Sequence, residues 1–119
     1  VKNVKVYDVS STHVSDLIGE VFRCSHMVLA CPTYNNGIYP AMYNFLHDMK
    51  ALMVQNRTVG LIENGSWAPA SGKLIRLRLE EMKNMTLLEP TVTLKSSLKE
   101  DSRAQLEALK DAIVASLNA

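Results

Sequence analysis

The chain has 119 residues, enough for one domain with a buried core that needs no disulfide or metal. Its formal net charge of +1 favours neither a nucleic acid nor a membrane surface, and no apolar run approaches the roughly 20 residues of a bilayer span. Two cysteines, Cys24 and Cys31, are too few for a disulfide framework and lack CxxC or metal-ligand spacing, so reduced structural thiols in a cytoplasmic protein are expected.

The opening residues Val1–Lys5 do not have the form of a signal peptide. Val4, Val6 and Val9 form a short β-branched run, which predicts a strand over about residues 3–9. Val14, Leu17, Ile18, Val21 and Phe22 then recur at helical spacing, with Ser11 or Thr12 placed to cap. Met27–Cys31 is a continuous apolar run, the pattern of a strand covered on both faces by helices. Pro40 suits the first turn of a helix whose apolar side is Met42, Phe45, Leu46, Met49 and Leu52. Thr58–Ile62 predicts the next buried strand. A helix over about residues 70–83 follows, with Leu74, Ile75, Leu79 and Met82 on one side. Leu87, Leu88, Val92 and Leu94 suggest a last strand, bent or edged at Pro90. A final helix from about Glu100 turns Leu106, Leu109, Ile113 and Leu117 inward. The order βαβαβαβα, four strands and four helices, implies an α/β fold with parallel strands and helices on both faces. No internal repeat, linker or low-complexity tract divides residues 1–119.

Ligands of open parallel sheets bind beyond the carboxyl ends of the strands. Two segments there are unlike simple connectors. The first, Pro32-Thr33-Tyr34-Asn35-Asn36-Gly37, packs a hydroxyl, a phenol and two amides behind a proline. Amides and backbone groups can serve a ring that carries donors and acceptors on its edge, and Tyr34 can offer an aromatic face. A plain turn is the competing reading, since Asn, Gly and Pro are turn residues. The second, Asn64-Gly65-Ser66-Trp67-Ala68, follows Glu63 and holds the single tryptophan. Glycine permits close backbone approach to a ligand, although a loop tryptophan can also simply cover the core. Together the segments predict a site for a flat aromatic cofactor.

These residues carry a family resemblance. Ala30-Cys31-Pro32-Thr33-Tyr34-Asn35-Asn36 resembles the G-S-P-T-x-N-N stretch of the flavodoxin-like domain of A-type flavoproteins, the flavodiiron proteins. Tyr7-Asp8-Val9-Ser10-Ser11-Thr12-His13 is similar to their Y-D-x-x-x-T-H segment. Gly65-Ser66-Trp67 resembles an altered form of their G-S-Y-G-W-S-G loop, and Leu88-Glu89-Pro90 matches a late-strand pattern. The resemblance implies a three-layer flavodoxin-like sheet that binds FMN. It places Pro32–Gly37 on one side of the isoalloxazine and Asn64–Ala68 on the other. It further implies electron transfer to a di-iron centre on a separate metallo-β-lactamase-like domain that reduces oxygen or nitric oxide, with a redox donor as a further partner. In this family the flavin does the redox chemistry, so no side chain need act as acid or base.

The resemblance begins at the family's second strand. It therefore implies a partial flavodoxin-like domain, truncated at its N-terminus before the first strand, the phosphate-gripping loop and the first helix. The expected consequence is a gap, a re-paired sheet or an open edge, and an isolated chain that is not a complete enzyme. Ser10–His13 is rich in hydroxyls and could hold an anion, but helix capping is the favoured role. His13, His26 and His47 are scattered and suggest no metal site. The alternative function is an FMN-less remnant that acts as a structural, homo-oligomerising domain. A phosphoacceptor receiver shares the fold class, but Asp8 alone does not supply its acidic cluster.

Overall fold

The computed structural model describes residues 4–34, 37–38, 40–64, 71–89, 91–94 and 100–118. The first helix, α1, is Val14–Arg23, and it is followed by strand β1, His26–Tyr34. A two-residue strand β2, Gly37–Ile38, precedes helix α2, Pro40–Ala51. Strand β3 is Thr58–Asn64 and helix α3 is Ser71–Glu80. Two short strands, β4 (Thr86–Leu87) and β5 (Val92–Leu94), lead to the long helix α4, Glu100–Leu117.

β3 is the centre of the sheet. It pairs in parallel with β1 along its whole length, from His26↔Thr58 to Pro32↔Asn64. Its other side carries β4 at Thr58 and Val59 and β5 at Ile62–Asn64. The single late strand expected around Pro90 is thus two short pieces sharing one sheet position. Proline lacks the N–H that an unbroken ladder would use there. With β4 and β5 counted apart, four strands run parallel; β2 alone is antiparallel, pairing with the end of β1.

Strand alternation separates two faces. Leu29, Cys31, Val59 and Leu61 join residues of α1, α2 and α3 in one core cluster. That cluster includes Leu17, Phe45, Leu46, Met49, Ile75 and Leu79. On the opposite face Gly60 lies beneath Leu109 of α4, so close that a Cβ there would stand 3.1 Å from the leucine Cδ1. Glycine is therefore a packing requirement, allowing helix and strand to approach closely. Leu109 and Val92 are buried on this side. The fold is three-layered α/β, as the alternation of elements implies.

Four expectations are corrected. Val4–Asp8 forms no strand, and Val9 lies in the following turn. Val4 and Val6 are exposed: β-branched residues make a strand only where a neighbouring strand is available to pair. The Met27–Cys31 run is covered on one face only, because α4 reaches β3 and β5 but leaves Val28 and Ala30 exposed. Leu52 is exposed because α2 ends one residue earlier. Phe22 and Leu117, read as inward, are exposed as well.

The chain leaves α2 through a left-handed cap. Val54 N–H donates to Met49 O and Met53 N–H to Lys50 O, with Met53 at φ 60°. At the end of α1, Arg57 clamps the helix to the sheet. Its Nε donates to Val21 O at 2.9 Å and its Nη2 to Phe22 O at 3.2 Å.

Candidate functional site

The parallel register of β1 and β3 decides where the two candidate segments lie. Pro32 is opposite Asn64, so both strands end side by side. Neighbouring strands are about 4.8 Å apart, so Pro32 and Asn64 lie side by side at the carboxyl edge of the sheet, the edge where ligands of open parallel sheets bind. Pro32, Thr33 and Tyr34 continue β1 as extended backbone, three residues beyond the expected strand end at Cys31. Pro32 is tolerated because, among the described residues, β1 has no long partner on its far side. Thr33 pairs with Ile38 and Tyr34 with Gly37, so the chain doubles back at once and enters α2. Thr33 and Tyr34 thus face Ile38 and Gly37 in an antiparallel pair at the end of β1. Asn64 closes β3. Asn35, Asn36, Gly65, Ser66, Trp67 and Ala68 lie outside the described residues, as do the side chains of Pro32, Thr33, Tyr34 and Asn64.

One residue at this edge, which the sequence reads as the start of the tryptophan loop, belongs to β3. Glu63 is the single buried charged side chain among the described residues, at 9 % exposure. It sits on the core face of β3, in register with Cys31 of β1 and Thr93 of β5. The Thr93 hydroxyl donates to its Oε1 at 2.8 Å. Thr93 is itself held, its backbone N–H donating to Gln105 Oε1 of α4 at 2.9 Å. The available signal was a carboxylate ending an otherwise uncharged strand, Thr58–Ile62, immediately before the tryptophan segment.

The Ser10–His13 segment is a cap and turn. Asp8 accepts from the Ser10 N–H at 2.9 Å and the Ser10 hydroxyl at 2.7 Å. These hydrogen bonds, the hydroxyl first, hold the Asp8 carboxyl below its usual range. A carboxylate that already uses these donors disfavours a phosphate at the same place. The cap of α1 is His13, one residue beyond the expected Ser11 or Thr12, with its Nδ1 accepting from Ser15 N–H at 3.1 Å. His26 opens β1, where its Nε2 is 3.0 Å from Ser116 Oγ, and His47 is exposed on α2. Among the described residues no group of three or more His, Cys, Asp or Glu side chains is placed to hold a metal ion. Nor is any described helix long and apolar enough to cross a membrane.

Two open hollows lie on the helical surface. One, of about 450 Å³, is lined by Tyr43, Leu46, His47, Lys50, Ala51 and Arg78. Its cations are already partnered: Lys50 bonds Glu81 at 3.1 Å, and Arg78 stacks over the Tyr43 ring at 4.8 Å. The other, of about 430 Å³, lies among Val9, Thr12, Leu17, Asn44, Phe45 and Asp48. Neither has a described lining residue from the two strand-end segments.

No family model matches the chain. It is 30% identical over 91 residues to a nitric oxide reductase of Moorella thermoacetica, covering 76% of this chain and 23% of that protein. It is 29% identical over 72 residues to the rubredoxin-oxygen oxidoreductase of Megalodesulfovibrio gigas, covering 60% of this chain and 18% of that protein. The solved structure of rubredoxin oxygen:oxidoreductase from the anaerobe Desulfovibrio gigas superposes with a TM-score of 0.80 and 25% identity. That match takes in 93% of this chain and 28% of the solved one. The chain thus spans less than a third of each of these proteins.

Proposed function

The chain is a flavodoxin-like domain related to the flavodiiron proteins, and from that premise we propose that it binds FMN at the β1 and β3 strand ends and relays electrons. The observation that carries the reading is the Pro32↔Asn64 register, which ends both strands at the same edge of the sheet. Their donor set fits the ring. Thr33, Asn35, Asn36, Asn64 and Ser66 bring hydroxyls and amides that can bond a heteroaromatic edge. Tyr34 and Trp67 bring flat faces that can exclude water. Gly37 and Gly65 carry no side chain that would keep a ligand from the backbone, and Pro32 and Ala68 add little bulk.

FMN when bound supplies electron transfer in one- and two-electron steps. The chain's residues bind and orient the ring and set the polarity around it. The whole protein would add a redox donor and a metallo-β-lactamase-like di-iron domain that reduces oxygen or nitric oxide. Among the described residues the Ser10 donors already serve Asp8, so the reading assigns this chain contacts to the ring and no described group to the phosphate. FMN and riboflavin should therefore bind this chain within about threefold of each other, with 1.4 kcal/mol per tenfold as the scale. A titration following quenching of flavin fluorescence tests this. Absence of quenching by either ligand sinks the proposal for this chain.

A second reading, a structural domain that oligomerises without flavin, is favoured by the free side of β1 and the exposed Val4, Val6 and Val28. Colourless protein that binds no FMN and has the solution mass of a dimer would select it.

A further inference from the structure

We propose that the hollow between α1 and α2 is a docking site for an arginine side chain presented by a partner protein. The hollow, of about 430 Å³, lies where the turn before α1 and the start of α1 meet α2. Its floor is apolar. Leu17 and Phe45 are buried core residues, and Val9 packs against the same cluster. Three polar side chains surround that floor, Thr12 from the turn and Asn44 and Asp48 from α2. Asn44 and Asp48 are one helical turn apart and share a face, with Cβ atoms about 5–6 Å from each other.

The polar groups here differ from those of the α2–α3 hollow. There, Lys50 bonds Glu81, and Arg78 bonds the Tyr43 hydroxyl. Here, none of the three side chains has a hydrogen bond or ion pair among the described residues. Thr12 and Asp48 bond only through their backbones, Thr12 N–H to Asp8 O and Leu52 N–H to Asp48 O. Among the described residues no lysine or arginine lines the hollow, and His47 is its one basic group.

Aspartates carry negative charge near neutral pH. The Asp48 carboxylate, with acceptor oxygens of Asn44 and Thr12 around the same apolar floor, therefore calls for a cation with several donors and an apolar stem. Arginine meets this better than lysine. Its planar guanidinium offers five N–H donors in a fixed fork, enough for two bonds to the carboxylate and a third to a neighbouring oxygen. Its methylenes can lie on Leu17 and Phe45 while the charged head stays at the rim. An open hollow suits a side chain reaching in from another surface. The site uses neither strand-end segment, so it stands or falls apart from FMN binding.

A chemical-shift titration of the chain with acetyl-arginine amide tests the assignment, at about pH 8 so that histidine charge does not compete. Saturable shifts are expected at the amides of Thr12, Asn44 and Asp48. Acetyl-citrulline amide, neutral and of the same shape, should bind about fivefold more weakly, as should guanidinium ion, which lacks the stem. Asp48→Asn should bring the arginine probe down to the citrulline level. Asn44→Asp, which adds a second carboxylate, should tighten it about threefold. Equal binding of the arginine and citrulline probes, unchanged affinity in Asp48→Asn, or shifts confined to other residues would overturn the proposal. Guanidinium ion binding as tightly as the amide would overturn it too, by assigning the hollow to a free cation. Should Asp48→Asn not fold, the absence of any gain in Asn44→Asp suffices to overturn it.

Discussion

β1 and β3 are neighbours with nearly the same apolar pattern, yet they have different fates. β3 has strands on both sides and helices on both faces; Val59 is 0% and Leu61 1% exposed. Among the described residues β1 has β3 on one side and only the two-residue β2 at the end of the other, and Val28 is 47% exposed. A continuous apolar run therefore reports that a strand can be buried twice, while the neighbouring elements decide whether it is. The enclosed strand carries the buried Glu63, and the open strand carries the short antiparallel pairing with β2.

The contrast should be largest in amide exchange. Amides in the middle of β3 should exchange on the order of a thousandfold more slowly than those of β1 that point to its free side. Equal protection in both strands, read by hydrogen-exchange NMR, would mean that another strand covers β1 in solution.

Side-chain truncation comes next. Leu61→Ala should cost about 3 kcal/mol, because it leaves a cavity among α-helical and strand side chains. Val28→Ala should cost less than about 1 kcal/mol, since the side chain is already half in water. Urea unfolding of the two variants checks the gap, and equal losses would break the comparison.

The α4 face offers a smaller, reciprocal test. Gly60→Val should destabilise by about 1–3 kcal/mol, because the new methyls must displace Leu109. Ala30→Val, on the same face of β1 but exposed, should change stability by no more than about 0.5 kcal/mol. Thermal melts of the pair separate a covered half-face from an open one.

Much of this fold was legible in sequence because local signals and tertiary packing agree. Pro40 opens α2 as its fixed φ suggests, and Leu17, Ile18 and Val21 bury the stripe that their spacing draws. The misreadings arise where a strand depends on a partner far away in sequence. Val4 and Val6 have the right chemistry for a strand, but among the described residues nothing pairs with them. Val28 looks central until the reach of α4 is known. The composition of the segments after β1 and β3 marked them as candidates. Their alignment was not legible, because register is a property of pairing rather than of either strand. Glu63 was overlooked because it reads as the first polar residue of a loop. The ladder shows it still belongs to β3, with its side chain turned to the core face.

The most direct test of the central claim is a chemical-shift map of the chain during FMN titration. The predicted result is perturbation centred on the backbone amides of Thr33, Tyr34, Gly37 and Asn64, with the α2–α3 hollow at Tyr43, Lys50 and Arg78 unmoved. Shifts confined to that hollow, or none at saturating FMN, would contradict a flavin site at the joined ends of β1 and β3.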